Sequence, residues 1–133
     1  MSIDCYECLL KGLLTHETIE YLDLSNNNLS DKCGNMIARI ISRQSQRRDQ
    51  FVWMLSLRNE KPLNNDFSKG LISINLANNA FGSDSAEELA NALTLDCYIR
   101  NINLMNNSVT EEGCKKLIKA LRKNTTLLNI DLR

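Results

Sequence analysis

The chain has 133 residues, which suits one domain, and its 43% apolar and 24% charged residues are ordinary for a globular protein. Sixteen Lys and Arg residues balance sixteen Asp and Glu residues, which argues against a general nucleic-acid binder. The five cysteines do not reach the density of a disulfide scaffold, and no apolar stretch is long enough to span a bilayer or resembles a signal peptide. We therefore expect a cytoplasmic protein with reduced thiols.

The first predicted element is a helix that includes residues 5–14. Cys5 and Cys8 lie in it at the C-x-x-C spacing of many zinc and redox sites. A zinc site needs two further ligands, and His16 is the one histidine in the sequence. The sequence therefore predicts neither a metal site nor a redox pair here.

A short phrase recurs after this helix. IEYLDLSNNNL begins at Ile19, LISINLANNAF at Leu71 and IRNINLMNNSV at Ile99, and LLNIDLR at Leu127 is the start of another copy. These phrases fit the template L-x-x-L-x-L-x-x-N-x-L, in which a short strand leads into a turn of a leucine-rich repeat. The last three copies are spaced by 28 residues.

A period of 28 residues is that of the long, ribonuclease-inhibitor type of leucine-rich repeat, in which a full helix follows each strand. The sequence therefore predicts an α/β leucine-rich-repeat solenoid, with parallel strands on the concave face of a horseshoe segment and helices on its convex face. We expect a single domain over residues 1–133, and a fragment of a longer protein, because no polar terminal cap is evident.

The asparagines of the phrases have two predicted roles. Asn27, Asn79 and Asn107 fill the asparagine slot, where a buried amide can satisfy turn backbone groups in its own and the adjacent repeat. We expect a structural asparagine ladder there in preference to ligand binding. Four other asparagines are expected to tolerate the unusual backbone dihedrals of the turn: Asn26, Asn28, Asn78 and Asn106.

The period breaks once, because Ile19 and Leu71 lie 52 residues apart. The extra residues form an irregular insert at about 44–70. One interpretation is a helix that begins near Asp31 and continues to about Arg58, with Pro62 after its end. The alternative is a degenerate repeat whose strand slots are Val52, Leu55 and Leu57.

The insert contains aromatic residues beside basic ones. Trp53, the one tryptophan, and Phe51 follow the pair Arg47 and Arg48. Such groups often anchor a protein partner, so these four residues form a candidate binding site. The alternative is that the rings pack on the neighbouring repeat.

A stripe of basic residues precedes this group on the same predicted helix. Arg39, Arg43 and Arg47 recur every four positions. The stripe is either a solvated outer face or a docking surface for an acidic partner.

Two more helices are predicted between the later phrases. Residues 83–93 place Ala86, Leu89, Ala90 and Leu93 on one face. A helix capped by Thr110 or Glu111 follows the next phrase. Its predicted buried face consists of Cys114, Leu117, Ile118 and Leu121.

Alternation along each strand decides which side chains face outward on the concave side. That face is predicted to be polar, nearly uncharged and rich in amides, and to suit a protein partner. The candidate partner-binding residues are Tyr21, Asp23, Ser73, Asn75, Asn101, Asn103, Met105, Asn129 and Asp131.

Nothing in the sequence indicates catalysis. The glycines are scattered and form no phosphate-binding loop, and no partner pattern supports a Ser-His-Asp or Cys-His arrangement around the one histidine. We therefore expect no catalytic residue, no cofactor, no metal, and neither a nucleic-acid partner nor a small-molecule substrate.

The insert and the last repeat carry a more specific resemblance. The pieces are the Arg47 and Arg48 pair, Trp53, SLR at Ser56 to Arg58, Pro62, and the segment from Glu112 to Arg133. With these pieces the whole chain resembles the leucine-rich-repeat region of the seventy-eight-kilodalton centrosomal protein family.

That resemblance implies a non-enzymatic protein of centrioles and basal bodies that takes part in cilium assembly and docks other centrosomal proteins through its repeats. The same repeat type occurs in other regulators. Tropomodulin-like actin binding, Ran GTPase activation and an immune-receptor sensor repeat are therefore the alternatives.

Overall fold

The computed structural model describes residues 7–9, 11–13, 19–58, 70–127 and 129–132, and Cys5, His16 and Pro62 lie outside these ranges. Residues 7–9 and 11–13 are helical. Strands and helices then alternate in the order β1 (Tyr21–Asp23), α1 (Asp31–Leu57), β2 (Ser73–Asn75), α2 (Ser83–Leu95), β3 (Asn101–Asn103), α3 (Glu111–Lys123) and β4 (Asn129–Asp131).

The four strands form one parallel sheet in chain order, β1-β2-β3-β4. Equivalent residues of the phrases lie side by side, so that Leu22, Ile74, Ile102 and Ile130 form one row across the sheet. Each crossover between parallel strands contains a helix, as parallel pairing requires. The predicted α/β class with parallel strands and a leucine-rich-repeat pattern is therefore confirmed.

The core lies between the sheet and the helices. Leu76, Phe81, Leu89 and Leu93 are fully buried there, and they come from the strand, turn and helix of one repeat. α1 packs against α2, and α2 against α3. At the α1–α2 contact a Cβ on Gly34 would lie 2.6 Å from the Cβ of Ser85, so only glycine allows this close approach.

The length of α1 accounts for part of the break in the repeat period. It has 27 residues, whereas α2 and α3 have 13 each. The long-helix interpretation of the insert is therefore confirmed, and the degenerate repeat is wrong, since Val52, Leu55 and Leu57 are all helical. The part of α1 from residue 44 to its end adds about 20 Å of helix at 1.5 Å per residue.

The predicted buried face of α3 is corrected by the structure. Of its four residues Leu117 is buried, Cys114 and Leu121 are half-buried, and Ile118 is 45% exposed. The hydroxyl of Thr110 accepts a hydrogen bond from the Gly113 N–H, so the predicted cap is present. None of the helices in the described ranges is both long and apolar enough to cross a membrane.

Candidate functional site

The asparagine slots hold neighbouring repeats together. The side-chain oxygen of Asn79 accepts hydrogen bonds from the N–H groups of Asn27 and Leu29, at 3.1 and 3.0 Å, in the preceding repeat. Its amide nitrogen donates to the carbonyl of Leu24 and to those of Leu76 and Ala77 in its own turn. Asn79 therefore satisfies five backbone groups in two repeats.

Asn107 makes equivalent contacts, and Asn27 makes those within its own turn. Asn107 donates to Leu76 in the preceding repeat and to its own turn, and accepts from the Phe81 N–H at 3.1 Å. Asn27 donates to Leu24 and Ser25. Among the described residues, four non-glycine residues have positive φ, between 52° and 58°, and they are the expected turn asparagines Asn26, Asn28, Asn78 and Asn106.

A second set of buried polar side chains was not predicted. β2, β3 and β4 are each preceded by a backbone N–H that donates to a side chain, at Leu71, Ile99 and Leu127. A side-chain oxygen accepts the hydrogen bond from each of these N–H groups, at 3.0, 2.7 and 2.8 Å respectively. The three acceptors are of different types and belong to Gln44, Asp96 and Asn124.

Equivalence of position explains two of these acceptors. Asp96 and Asn124 both follow the last residue of a helix and lie one 28-residue period apart. Gln44 instead reaches Leu71 from the body of the long helix. Only Asp96 and Asn124 could have been found from the sequence, because they occupy the same position in successive repeats.

Asp31 joins the first turns of two helices. Its carboxylate accepts hydrogen bonds from the N–H of Gly82, at 2.8 Å, and from the N–H and hydroxyl of Ser85. Gly82 is the N-cap of α2 and has no side chain to fill that role. The hydrogen bond from the Ser85 hydroxyl, followed by those from the two N–H groups, lowers the pKa of Asp31 against the effect of burial.

We expect Asp31→Ala to lower the free energy of unfolding by about 1–2 kcal/mol, because it removes the cap of α2. The folded pKa of Asp31 lies below its ordinary value of 3.8, so its ionised form stabilises the fold above that pH. This contribution is lost as the pH falls through the lower folded value. Urea unfolding of the wild type and of Asp31→Ala at pH 7 and pH 3 measures this contribution to the free energy of unfolding.

Asp84→Ala is the matched control, because Asp84 is an exposed carboxylate in the first turn of α2. It should change the unfolding free energy by less than about 0.5 kcal/mol. Equal losses for the two variants at pH 7 would contradict the capping role of Asp31.

The open face of the sheet has the predicted rows. Tyr21, Ser73, Asn101 and Asn129 lie in register, as do Asp23, Asn75, Asn103 and Asp131. Tyr21 is the most exposed apolar residue on this face, at 72%. Met105 lies just beyond β3 and is half-buried.

Some of the hydrogen-bond acceptors on this face are already occupied by backbone N–H groups of the same strand end. The side-chain oxygens of Asp23, Asn75 and Asn103 each accept a hydrogen bond from the N–H two residues later. A hydrogen bond from the Ser25 hydroxyl, together with the one from the Ser25 N–H, lowers the pKa of Asp23. Within the described chain, the amide nitrogens of Asn75 and Asn103 remain donors toward an incoming partner.

The last two turns of α1 carry the candidate insert site. We call residues Phe51, Val52, Trp53, Met54 and Leu57 the apolar helix end. Their side chains are 40–66% exposed, with Trp53 at 64% and Phe51 at 43%. The rings of Phe51 and Trp53 are not buried against the neighbouring repeat, which was the alternative prediction, because both side chains remain exposed.

Arg48 lies elsewhere than predicted. Its side chain is 3% exposed, so the prediction that it belongs to an exposed binding group is wrong. Its Nη1 donates to the carbonyl of Leu71 at 3.1 Å, and its guanidinium lies 4.6 Å from the centre of the Tyr98 ring. Gly70, at a φ of 137°, leaves room for it, since a Cβ there would lie 2.5 Å from Nη2. Arg47 is half-buried beside it.

Tyr98 makes a second link to the long helix. Its hydroxyl donates to the carboxylate of Asp49 at 2.7 Å. Burial and this hydrogen bond both raise the pKa of Tyr98. Burial also raises the pKa of nearby Asp96, against backbone hydrogen bonds and the charge of Arg48. We call Arg48, Asp49 and Tyr98 the helix clamp, because they fix α1 where it leaves the repeat.

In the part of the chain that the structure describes, no three His, Cys, Asp or Glu side chains come close enough together to hold a metal ion. Cys8 and Cys97 are exposed there, and Cys33 is buried. Although Cys97 is exposed as a residue, partial desolvation of its thiol raises the pKa of that thiol.

Comparisons with known proteins agree with this fold. The family model described as Leucine Rich Repeat matches residues 18–40. Human "Centrosomal protein of 78 kDa" is 32% identical over 128 residues, which are 96% of this chain and 18% of that protein. The solved structure of "Leiomodin-1 Actin-Binding Site 2 (ABS2)" has a TM-score of 0.74 at 16% identity, over 98% of this chain and 63% of that one.

Proposed function

Because this chain carries leucine-rich repeats and is similar along nearly its whole length to Centrosomal protein of 78 kDa, we propose that it is a non-enzymatic docking module of the centrosome. It would serve centrioles and basal bodies during cilium assembly. The chain spans less than a fifth of the length of that relative, so the activity of the whole protein is part of the proposal. The described strand–helix units suit a curved solenoid, whose length and curvature accommodate a protein partner.

The apolar helix end is the observation that carries this proposal. Isolated exposed apolar residues are ordinary, but here five lie within seven positions of one helix. Tryptophan is enriched among the residues that dominate binding energy, and Trp53 is the most exposed aromatic of the group. The helix clamp holds this group in one direction, so a partner would meet a pre-ordered surface.

The open face of the sheet provides a second contact area. Its amide donors on Asn75 and Asn103, with Tyr21 and Met105 as apolar contacts, suit an extended polypeptide. The remaining proposed contact residues of this area are Asp23, Ser73, Asn101, Asn129 and Asp131. The proposed contact residues in the insert are Arg47, Phe51 and Trp53.

The test is the localisation of the tagged full-length protein against a centriole marker. We expect the wild-type protein to concentrate at centrioles, and Phe51→Ser/Trp53→Ser to disperse it. Ile118→Ser is the matched control, because it makes the same change at an exposed apolar residue of α3. Localisation of the control should match that of the wild type.

Two results would overturn parts of this proposal separately. A wild-type protein that never concentrates at centrioles would contradict the centrosomal assignment. A double variant that localises as well as the wild type would contradict docking through the apolar helix end. Circular dichroism of the purified chain shows whether each variant is folded.

A second candidate function is regulation of the cytoskeleton through actin. The described fold shares its overall geometry with an actin-binding site of leiomodin-1, a likeness that concerns the fold alone. A pyrene-actin polymerisation assay distinguishes the two candidates. A change in filament growth at substoichiometric amounts of the chain would favour actin regulation, whereas no change favours the docking module.

A further inference from the structure

A groove of about 690 Å³ lies between α1 and α2, on the side of the helices away from the sheet. Arg39 and Arg43 of α1 line one wall, and Glu88 and Leu95 of α2 line the other. Lys11, from the helical residues 11–13, also lines it. This surface is separate from both the open face of the sheet and the apolar helix end.

The three cations of the groove are not neutralised by the protein. In the described chain Lys11, Arg39 and Arg43 have neither an ion pair nor a hydrogen bond from their side chains. Lys116, in contrast, pairs with Glu87 at 3.0 Å on the neighbouring helix pair. Three cations therefore face one carboxylate, Glu88, in a chain whose formal net charge is zero.

The helix dipole does not explain this charge. Cations commonly lie in the last turn of a helix, where they offset the partial negative charge of its carbonyl end. α1 continues to Leu57, however, so Arg39 and Arg43 lie in its interior. The last turn of α1 has no basic residue.

Leu95 adds an apolar contact at one end of the groove. It is 82% exposed, the highest value among the exposed large apolar residues of the described chain. Ala38 and Ala92, both buried, form the base of the same groove. A ligand that fits must therefore offer negative charges beside an apolar group.

We propose that this groove binds an acidic peptide segment of a protein partner, with its carboxylates at Arg39 and Arg43 and an apolar side chain on Leu95. The other end of the same helix pair fixes the direction of the segment. A second depression there, of about 360 Å³, is lined by four acidic residues and one cation, Lys32; the acidic residues are Asp31, Asp84, Glu87 and Glu88. A carboxylate-rich segment is repelled from that end and attracted to the basic one.

The experiment is fluorescence anisotropy of the 133-residue chain with a fluorescein-labelled peptide of glutamates and leucines. We expect Arg39→Glu/Arg43→Glu to raise the Kd by at least about tenfold at low salt. Arg100→Glu/Arg122→Glu is the matched control, because it makes the same change of charge at exposed residues outside the groove. The control should stay within about twofold of the wild type.

A second pair of variants tests the apolar contact. Leu95→Ala should weaken binding of the same peptide about threefold or more, whereas Ile118→Ala, at an exposed apolar residue outside the groove, should not. Equal losses for both charge pairs would overturn the proposal, since they indicate general Coulomb attraction. So would equally tight binding of a peptide with glutamates alone, or of single-stranded DNA, since the groove would then not select an acidic peptide with apolar residues.

Discussion

Replacing Asn79 by alanine is expected to lower the free energy of unfolding by about 3–5 kcal/mol. The substitution leaves the N–H groups of Asn27 and Leu29 and the carbonyl of Leu24 without their partner in the adjacent repeat. These groups are buried or half-buried, so water replaces the lost bonds poorly. Urea unfolding followed by circular dichroism measures the loss.

Two companion variants make this expectation specific. Asn35→Ala removes an exposed asparagine from α1 and should change the unfolding free energy by less than about 0.5 kcal/mol. Asn79→Asp keeps the shape and the acceptor but removes the donor to three carbonyls, so it should be strongly destabilising as well. An Asn79→Ala loss as small as that of Asn35→Ala would show that the ladder contributes little.

Replacing Arg48 by methionine is expected to cost about 2–4 kcal/mol. Methionine keeps much of the length of the side chain but cannot donate to the Leu71 carbonyl or place a charge over the Tyr98 ring. Buried Asp96 also loses a nearby positive charge that favours its ionised form. Arg43→Met, at an exposed position of the same helix, should be nearly neutral.

The helix clamp predicts where the Arg48 variant loosens. Hydrogen exchange should rise first in residues 49–57, because that part of α1 is held by Arg48 and by the Asp49 bond to Tyr98. Tyr98→Phe should produce a smaller rise in the same residues by removing the hydroxyl alone. A uniform rise across α2 and α3 would contradict a local clamp.

The apolar helix end and the groove between α1 and α2 depend on the helix clamp to different degrees. The apolar helix end depends on the clamp, because free rotation of the last turns of α1 would add an entropic cost to binding. The groove between α1 and α2 that contains Arg39 and Arg43 lies before the clamp, over buried Ala38 and Ala92. Arg48→Met should therefore weaken binding at the helix end and leave peptide binding in the groove nearly unchanged.

The sequence by itself determined the repeat and its local chemistry. Asn27, Asn79 and Asn107 could be assigned because every turn of the same shape leaves the same backbone groups unpaired. The rows on the open face followed in the same way, since side chains alternate along a strand whatever the strand packs against. A structural requirement that recurs in every repeat is met by the same residue type at the same position of each repeat.

Only the tertiary structure decided what happens where the period breaks. Arg47 and Arg48 are neighbours in sequence, yet a helix turns by about 100° per residue, so only Arg48 continues the buried stripe of Ile41 and Gln44. A buried arginine is uncommon, and its acceptor lies 23 residues away, at Leu71. The helical spacing of Ile41, Gln44 and Arg48 can be recognised in the sequence. Whether the Arg48 guanidinium is buried or exposed depends on Leu71 and Tyr98, which only the folded chain brings close to it.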